Sequence, residues 1–82
     1  MTVVRYFAAV KEAATVPEDV VEASSLAEAL EAVRRSHGPR FAEVLALCSY
    51  LVDGTPAGAR DHATIVVGGG TVIECLPPFA GG

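Results

Sequence analysis

An α+β fold, a mixed sheet with one main helix laid across one face, is predicted by three observations. β-branched and aromatic runs stand at both ends of the chain, at Thr2 to Ala8 and Thr71 to Leu76. Between them lies a capped stretch, Ser25 to His37, with helical apolar spacing. The 82 residues are 51% hydrophobic, yet they include no Trp and only three Phe, and alanine and valine dominate. A core of such small pieces suits one compact sheet and one helix, and a chain this short buries only about 60 to 65% of its unfolded surface.

Thr2 to Ala8 is the first strand, and a short helical turn, Ala9 to Ala13, follows. Pro17 breaks the chain, after which Asp19 to Ala23 reads as a second short strand able to pair with the first as a hairpin. Ser25-Leu26-Ala27-Glu28 is a capping box: the serine hydroxyl takes the N3 amide and the glutamate returns to the N-cap amide. Leu26, Leu30, Val33 and His37 then recur at helical spacing, with Glu31 set to pair with Arg34 or Arg35 on the outer side. Gly38-Pro39 stops the helix. Arg40 to Ala46 is a weaker helical stretch and Leu47 to Val52 a third strand, ended by the turn signal Asp53-Gly54. Thr55 to Ala63 reads as loop and Thr64 to Val67 as a minor strand. Gly68-Gly69-Gly70 turns the chain into the final strand, Thr71 to Leu76.

Two strands, a long helix and further strands fit the ubiquitin-like β-grasp, in which the last strand can lie centrally and parallel to the first. A ferredoxin-like arrangement competes, but it needs a second substantial helix, and Arg40 to Ala46 is short for that. The expected organisation is a β-grasp domain over residues 1–76 and an extended tail over 77–82.

Several function classes are disfavoured. Ten acidic against six basic residues give a formal charge of −4, and the basic residues are scattered, so nucleic acid and anionic membrane are poor partners. No stretch approaches a membrane span and no leader pattern precedes the first strand, which predicts a soluble, cytoplasmic protein. Cys48 and Cys75 stand 27 positions apart without a CxxC, so reduced, core-packed thiols are expected and no metal site. His37 and His62 read as structural or solvated histidines, and the three-glycine run lacks the GK[ST] of a phosphate loop. Nothing in the chain suggests catalysis on its own.

The last six residues, Pro77-Pro78-Phe79-Ala80-Gly81-Gly82, carry the functional signal. Proline cannot donate a ladder hydrogen bond, so the final strand must stop at Pro77 and the tail leaves as an arm. At roughly 3.3 to 3.6 Å per extended residue it reaches on the order of 20 Å, enough to enter a neighbouring protein. Gly81 and Gly82 lack a Cβ and fit a narrow channel, and Phe79 is an anchor for a partner's groove. Two terminal glycines arise by chance in about one chain in two hundred.

Arg5-Tyr6-Phe7-Ala8-Ala9-Val10-Lys11-Glu12 resembles the strand-and-turn signature of the MoaD/ThiS-type sulfur carriers, and Leu76-Pro77-Pro78-Phe79-Ala80-Gly81-Gly82 is similar to the tail of the small subunit of molybdopterin synthase (MoaD). The resemblance spans essentially the whole chain. It departs at Gly70-Thr71, where the family usually has Gly-Asp.

The resemblance implies a chemical cycle at Gly82. A C-terminal carboxylate, with a pKa of about 3.3 to 3.7, is an anion at neutral pH and a poor electrophile. In the family a ubiquitin-activating-like (MoeB-like) adenylyltransferase uses ATP and magnesium to form an acyl-adenylate there. Sulfur from a donor then displaces AMP to give a thiocarboxylate. Docked in the large (MoaE-like) synthase subunit, the tail residues Pro77, Pro78, Phe79, Ala80 and Gly81 position that sulfur for transfer to a pterin precursor. No cofactor belongs to this chain itself. Other readings of the same tail are a carrier for thiamine or another sulfur metabolite, a ubiquitin-like modifier joined to lysines, or an inert β-grasp interaction module.

Docking needs a surface as well as a stalk. If Arg5 faces water, strand alternation puts Val3 and Phe7 on its side, and Glu74 and Leu76 share a side of the last strand. Phe7 and Leu76 then form either an apolar docking patch at the root of the tail or part of the core. Lys11, the only lysine, is either a partner contact or a solvated charge.

Overall fold

The structure, a computed structural model, describes residues 1–78. β1 (Thr2–Tyr6) leads into α1 (Ala8–Ala14) and β2 (Glu18–Val21); α2 (Leu26–His37) and α3 (Pro39–Leu45) follow, then β3 (Ser49–Val52), β4 (Thr55–Pro56) and β5 (Val72–Leu76). The strands form one sheet in the order β2-β1-β5-β3-β4. β1 and β5 are parallel, with Tyr6 opposite Cys75, and the other pairings are antiparallel. This is the ubiquitin-like β-grasp: the last strand is central and parallel to the first. The 3-10 turn His62–Thr64 completes the set.

One face of the sheet carries the core. Val4, Tyr6, Tyr50, Ile73 and Cys75 point inward and meet Val10, Leu26, Leu30, Val33, Phe41 and Leu45 from the three helices. α2 buries Leu26, Ala29, Leu30 and Val33 at helical spacing, so its apolar stripe faces the sheet while Glu31 binds both Arg34 and Arg35 on the outside. The Ser25 hydroxyl accepts from the Glu28 amide at 3.1 Å. The return half of the capping box is shifted by one residue: the Glu28 carboxylate takes the amide and hydroxyl of Ser24, at 2.8 and 2.9 Å, rather than the Ser25 amide.

The first strand stops at Tyr6, two residues earlier than expected, because Phe7 becomes the N-cap of α1 and Ala8 turns sharply at φ 51°. A non-glycine residue there costs about 1 kcal/mol. The third strand begins at Ser49 rather than Leu47, since α3 runs to Leu45 and Cys48 closes a turn by donating its amide to Leu45. Asp53 and Gly54 both have positive φ, the geometry of a tight hairpin turn, and join β3 to β4. β4 lies inside the expected loop. Thr64 to Val67 forms no strand: Val66 makes an isolated bridge to Ser25, while Ile65 and Val67 are buried on either side of it.

The loop before β5 is closed by Thr71. Its hydroxyl accepts from the Gly68 amide at 3.0 Å, while Gly70, at φ 84°, donates to the Met1 carbonyl. Fully buried Thr2 donates its hydroxyl to the Gly68 carbonyl at 2.9 Å. The Gly70-Thr71 departure therefore leaves the turn intact, with a hydroxyl as the acceptor.

Candidate functional site

β5 delivers the root of the tail. It is hydrogen-bonded on both sides, to β1 and to β3, and ends at Leu76 beside Ser49. Pro77 is half-buried and Pro78 exposed. The expected tail residues Phe79, Ala80, Gly81 and Gly82 lie outside the described residues.

Among the described residues no helix packs on the sheet's outer face. Along β5 the inward side chains Ile73 and Cys75 alternate with half-buried Val72, Glu74 and Leu76. On β1 the outward residues are Val3 and Arg5, and Phe7 continues the alternation because its backbone is still extended, at φ −131° and ψ 150°. Extending the parallel register by one step from Tyr6 and Cys75 sets Phe7 alongside Leu76. Both are half-buried, and neither belongs to the core cluster. Lys11 is exposed in α1, its amide directed at the Phe7 carbonyl, and it lines an open cleft of about 510 Å³ with Ala8, Glu12, Thr15, Val16 and Pro17.

Register shows how the outer face is organised, which sequence spacing alone does not. Val20, Val3 and Val72 form one cross-strand row at the end away from the tail. Glu18, Arg5, Glu74 and Leu51 form the next, and Leu76 and Ser49 stand at the tail root, where the parallel register extended by one step adds Phe7. A charged row thus runs between two mainly apolar ones. Arg5 leans toward the sheet edge, its Nε 3.3 Å from Glu18 Oε1, and no hydrogen bond or ion pair is recorded for the Glu74 carboxylate among the described residues.

Elsewhere the titratable groups serve the fold. The Tyr6 hydroxyl donates to Asp19 Oδ2 at 2.6 Å, and His37 Nε2 lies 2.5 Å from the same oxygen, so β1, β2 and the end of α2 share one partly buried polar knot. Burial pushes the Tyr6 hydroxyl far above its ordinary pKa, helped by the bond to Asp19. Cys75 is fully buried and its thiol is pushed up to about 12; burial raises Cys48 to about 11, with its Sγ on the Val44 carbonyl. Both are free thiols in their protonated form at neutral pH. His62 packs edge-on against Tyr50 with ring centroids 5.3 Å apart, and Asp61 caps the 3-10 turn instead of pairing with it. Among the described residues no three His, Cys, Asp or Glu side chains are grouped to hold a metal, and no helix is long and apolar enough to cross a membrane.

Solved structures similar to this chain include small archaeal modifier protein 1 from Methanosarcina acetivorans, at 20% identity and a TM-score of 0.83, covering 99% of this chain and 95% of that one. Subunit 1 of a putative molybdopterin converting factor from Pyrococcus furiosus matches at 21% identity and a TM-score of 0.73, over 95% and 97%. A protein–protein complex of subunits 1 and 2 of molybdopterin-converting factor from Helicobacter pylori contains a chain that matches at 27% identity and a TM-score of 0.69, over 99% and 97%. No match was found among curated protein sequences. Compared with known families, residues 4–82 match the ThiS family, a span that runs from the middle of β1 through the other four strands to the Gly-Gly pair. With the β-grasp sheet and the tail root set on its central strand, the chain is a member of the ThiS family.

Proposed function

We propose that this protein is a sulfur carrier that acts as the small subunit of a molybdopterin synthase and is not catalytic by itself. The observation that carries the reading is the match of a ThiS-family chain through residue 82, joined to a central strand that ends at Leu76, immediately before Pro77-Pro78. The Gly82 carboxylate attacks the α-phosphorus of ATP, held with magnesium by a ubiquitin-activating-like adenylyltransferase, and pyrophosphate leaves. Sulfur from a donor then attacks the acyl carbon and AMP leaves, which yields a thiocarboxylate. In the large subunit that sulfur is the nucleophile toward the pterin precursor, and the carrier returns as a carboxylate after hydrolysis.

What the fold contributes is positioning. A tail rooted between two strand neighbours starts from a fixed point and direction, so the entropy lost on entering a partner's channel is confined to a few residues. Phe7, Leu76 and Lys11 form the docking surface beside that root, with Phe79 as the anchor within the arm. The Helicobacter pylori complex supports a second subunit as partner.

The intact mass of the protein, incubated with the adenylyltransferase, ATP, magnesium and a sulfur source, is expected to rise by about 16 Da, one oxygen replaced by sulfur. No rise would leave an interaction module. The likeness to an archaeal modifier favours a second reading, ligation of the activated terminus to lysines. It predicts conjugates of higher mass in cell extracts and no dependence of cofactor synthesis on the gene.

A further inference from the structure

We propose that Glu74 selects the protein partners of the outer sheet face, admitting those that present a lysine or arginine ringed by apolar side chains; the partners' identity rests on the carrier reading above. Glu74 stands on the central strand, so it is the acidic group nearest the middle of that face. Its neighbours on β5 are Val72 and Leu76, and across the β3 ladder it faces Leu51. The nearest cation, Arg5, is its register partner on β1, but Arg5 is held by Glu18 on the opposite side.

The charge pattern sets the kind of partner. A landing protein that covers Val72, Leu76 and Leu51 also strips water from the carboxylate of Glu74 among them. An apolar or acidic surface would leave that charge desolvated and unpaired, which is strongly unfavourable. A guanidinium or ammonium at the same point turns the penalty into a charge-assisted hydrogen bond. Apolar contact around it supplies area and water exclusion, while the pair supplies discrimination, because rejection of wrong partners comes from the unmatched charge. The row at the tail root then fixes how the tail points, and Glu74 fixes which protein it points into.

The test compares Glu74→Gln and Glu74→Lys with wild type for binding to the adenylyltransferase and the large synthase subunit by titration calorimetry. Glu43→Lys, exposed on α3 and away from the sheet, serves as the charge control. The expected result is a loss of about tenfold or more in affinity for at least one partner with Glu74→Lys, a smaller loss with Glu74→Gln, and a change within about twofold for Glu43→Lys. Amide spectra check the fold, and Glu74→Gln decides the matter if Glu74→Lys does not fold. Equal losses in Glu74→Lys and Glu43→Lys, wild-type affinity in both Glu74 variants, or no binding of either partner by wild type would overturn the proposal. The carrier reading fails separately, through the absence of the mass increase in wild type.

Discussion

The Tyr6 hydroxyl donates to Asp19 at 2.6 Å, which fastens a core tyrosine of the second sheet strand to the edge strand beside it. Burial of Asp19 favours its neutral form, but the hydrogen bonds from Tyr6 and His37 outweigh it and hold the carboxyl below its ordinary value. A depressed carboxylate stabilises the fold above the unfolded-state value and loses that contribution as pH falls through the folded-state value. Urea midpoints are therefore expected to drop below about pH 4 in wild type. Asp19→Asn should cost about 1 to 2 kcal/mol at pH 7 and flatten this acid limb. An unchanged acid limb in the variant would contradict the assignment.

Phe7→Ala is expected to fold with a near-native amide spectrum and to bind its partners at least about tenfold more weakly, since Phe7 lies outside the core and beside Leu76. Full-strength binding measured by calorimetry would remove Phe7 from the interface.

One alanine appended after Gly82 should leave the thermal midpoint unchanged and abolish the mass increase on activation, because the appended residue takes over the terminal carboxylate. Mass spectrometry and a thermal melt read the two halves of this outcome.

Leu30→Ala should destabilise by about 2 to 4 kcal/mol, as it empties a nearly fully buried site on α2 against the sheet. In a domain of this size each kcal/mol corresponds to about 4 to 8 °C in Tm. Ser25→Ala, which removes only the cap, should cost about 1 kcal/mol.

Neither thiol should react readily at pH 8 in the folded protein. Cys75 is buried with its pKa pushed to about 12, and Cys48 to about 11. Iodoacetamide followed by intact mass should find slow modification of Cys48, none of Cys75, and both labelled in urea. Rapid native labelling of Cys75 would mean that β5 opens far more often than a doubly hydrogen-bonded central strand should.

Local signals were legible in the sequence wherever a residue's role depends on its near neighbours. Ser25 and Glu28 marked the start of α2, Gly38-Pro39 its end and Asp53-Gly54 a turn after β3. The element order fitted the β-grasp, in which the last strand can lie centrally. Roles set across the sheet were not legible. β4 was read as loop because it is two residues long and contains Pro56, which only an edge strand tolerates. Ile65-Val66-Val67 alternates like a strand, yet it bonds to residues 24–26 through one isolated bridge rather than to a strand of the sheet. The Asp19–His37 contact joins residues 18 apart with no motif between them. Alternation placed Glu74 and Leu76 on one side; only the ladder registers revealed that Arg5, Glu18 and Leu51 share a row with Glu74.

Because β5 is zipped along its length to β1 on one flank and to β3 on the other, traction on the arm is resisted in shear by both ladders at once rather than peeled one bond at a time. A force applied beyond Leu76 is therefore expected to leave the globule behind it folded.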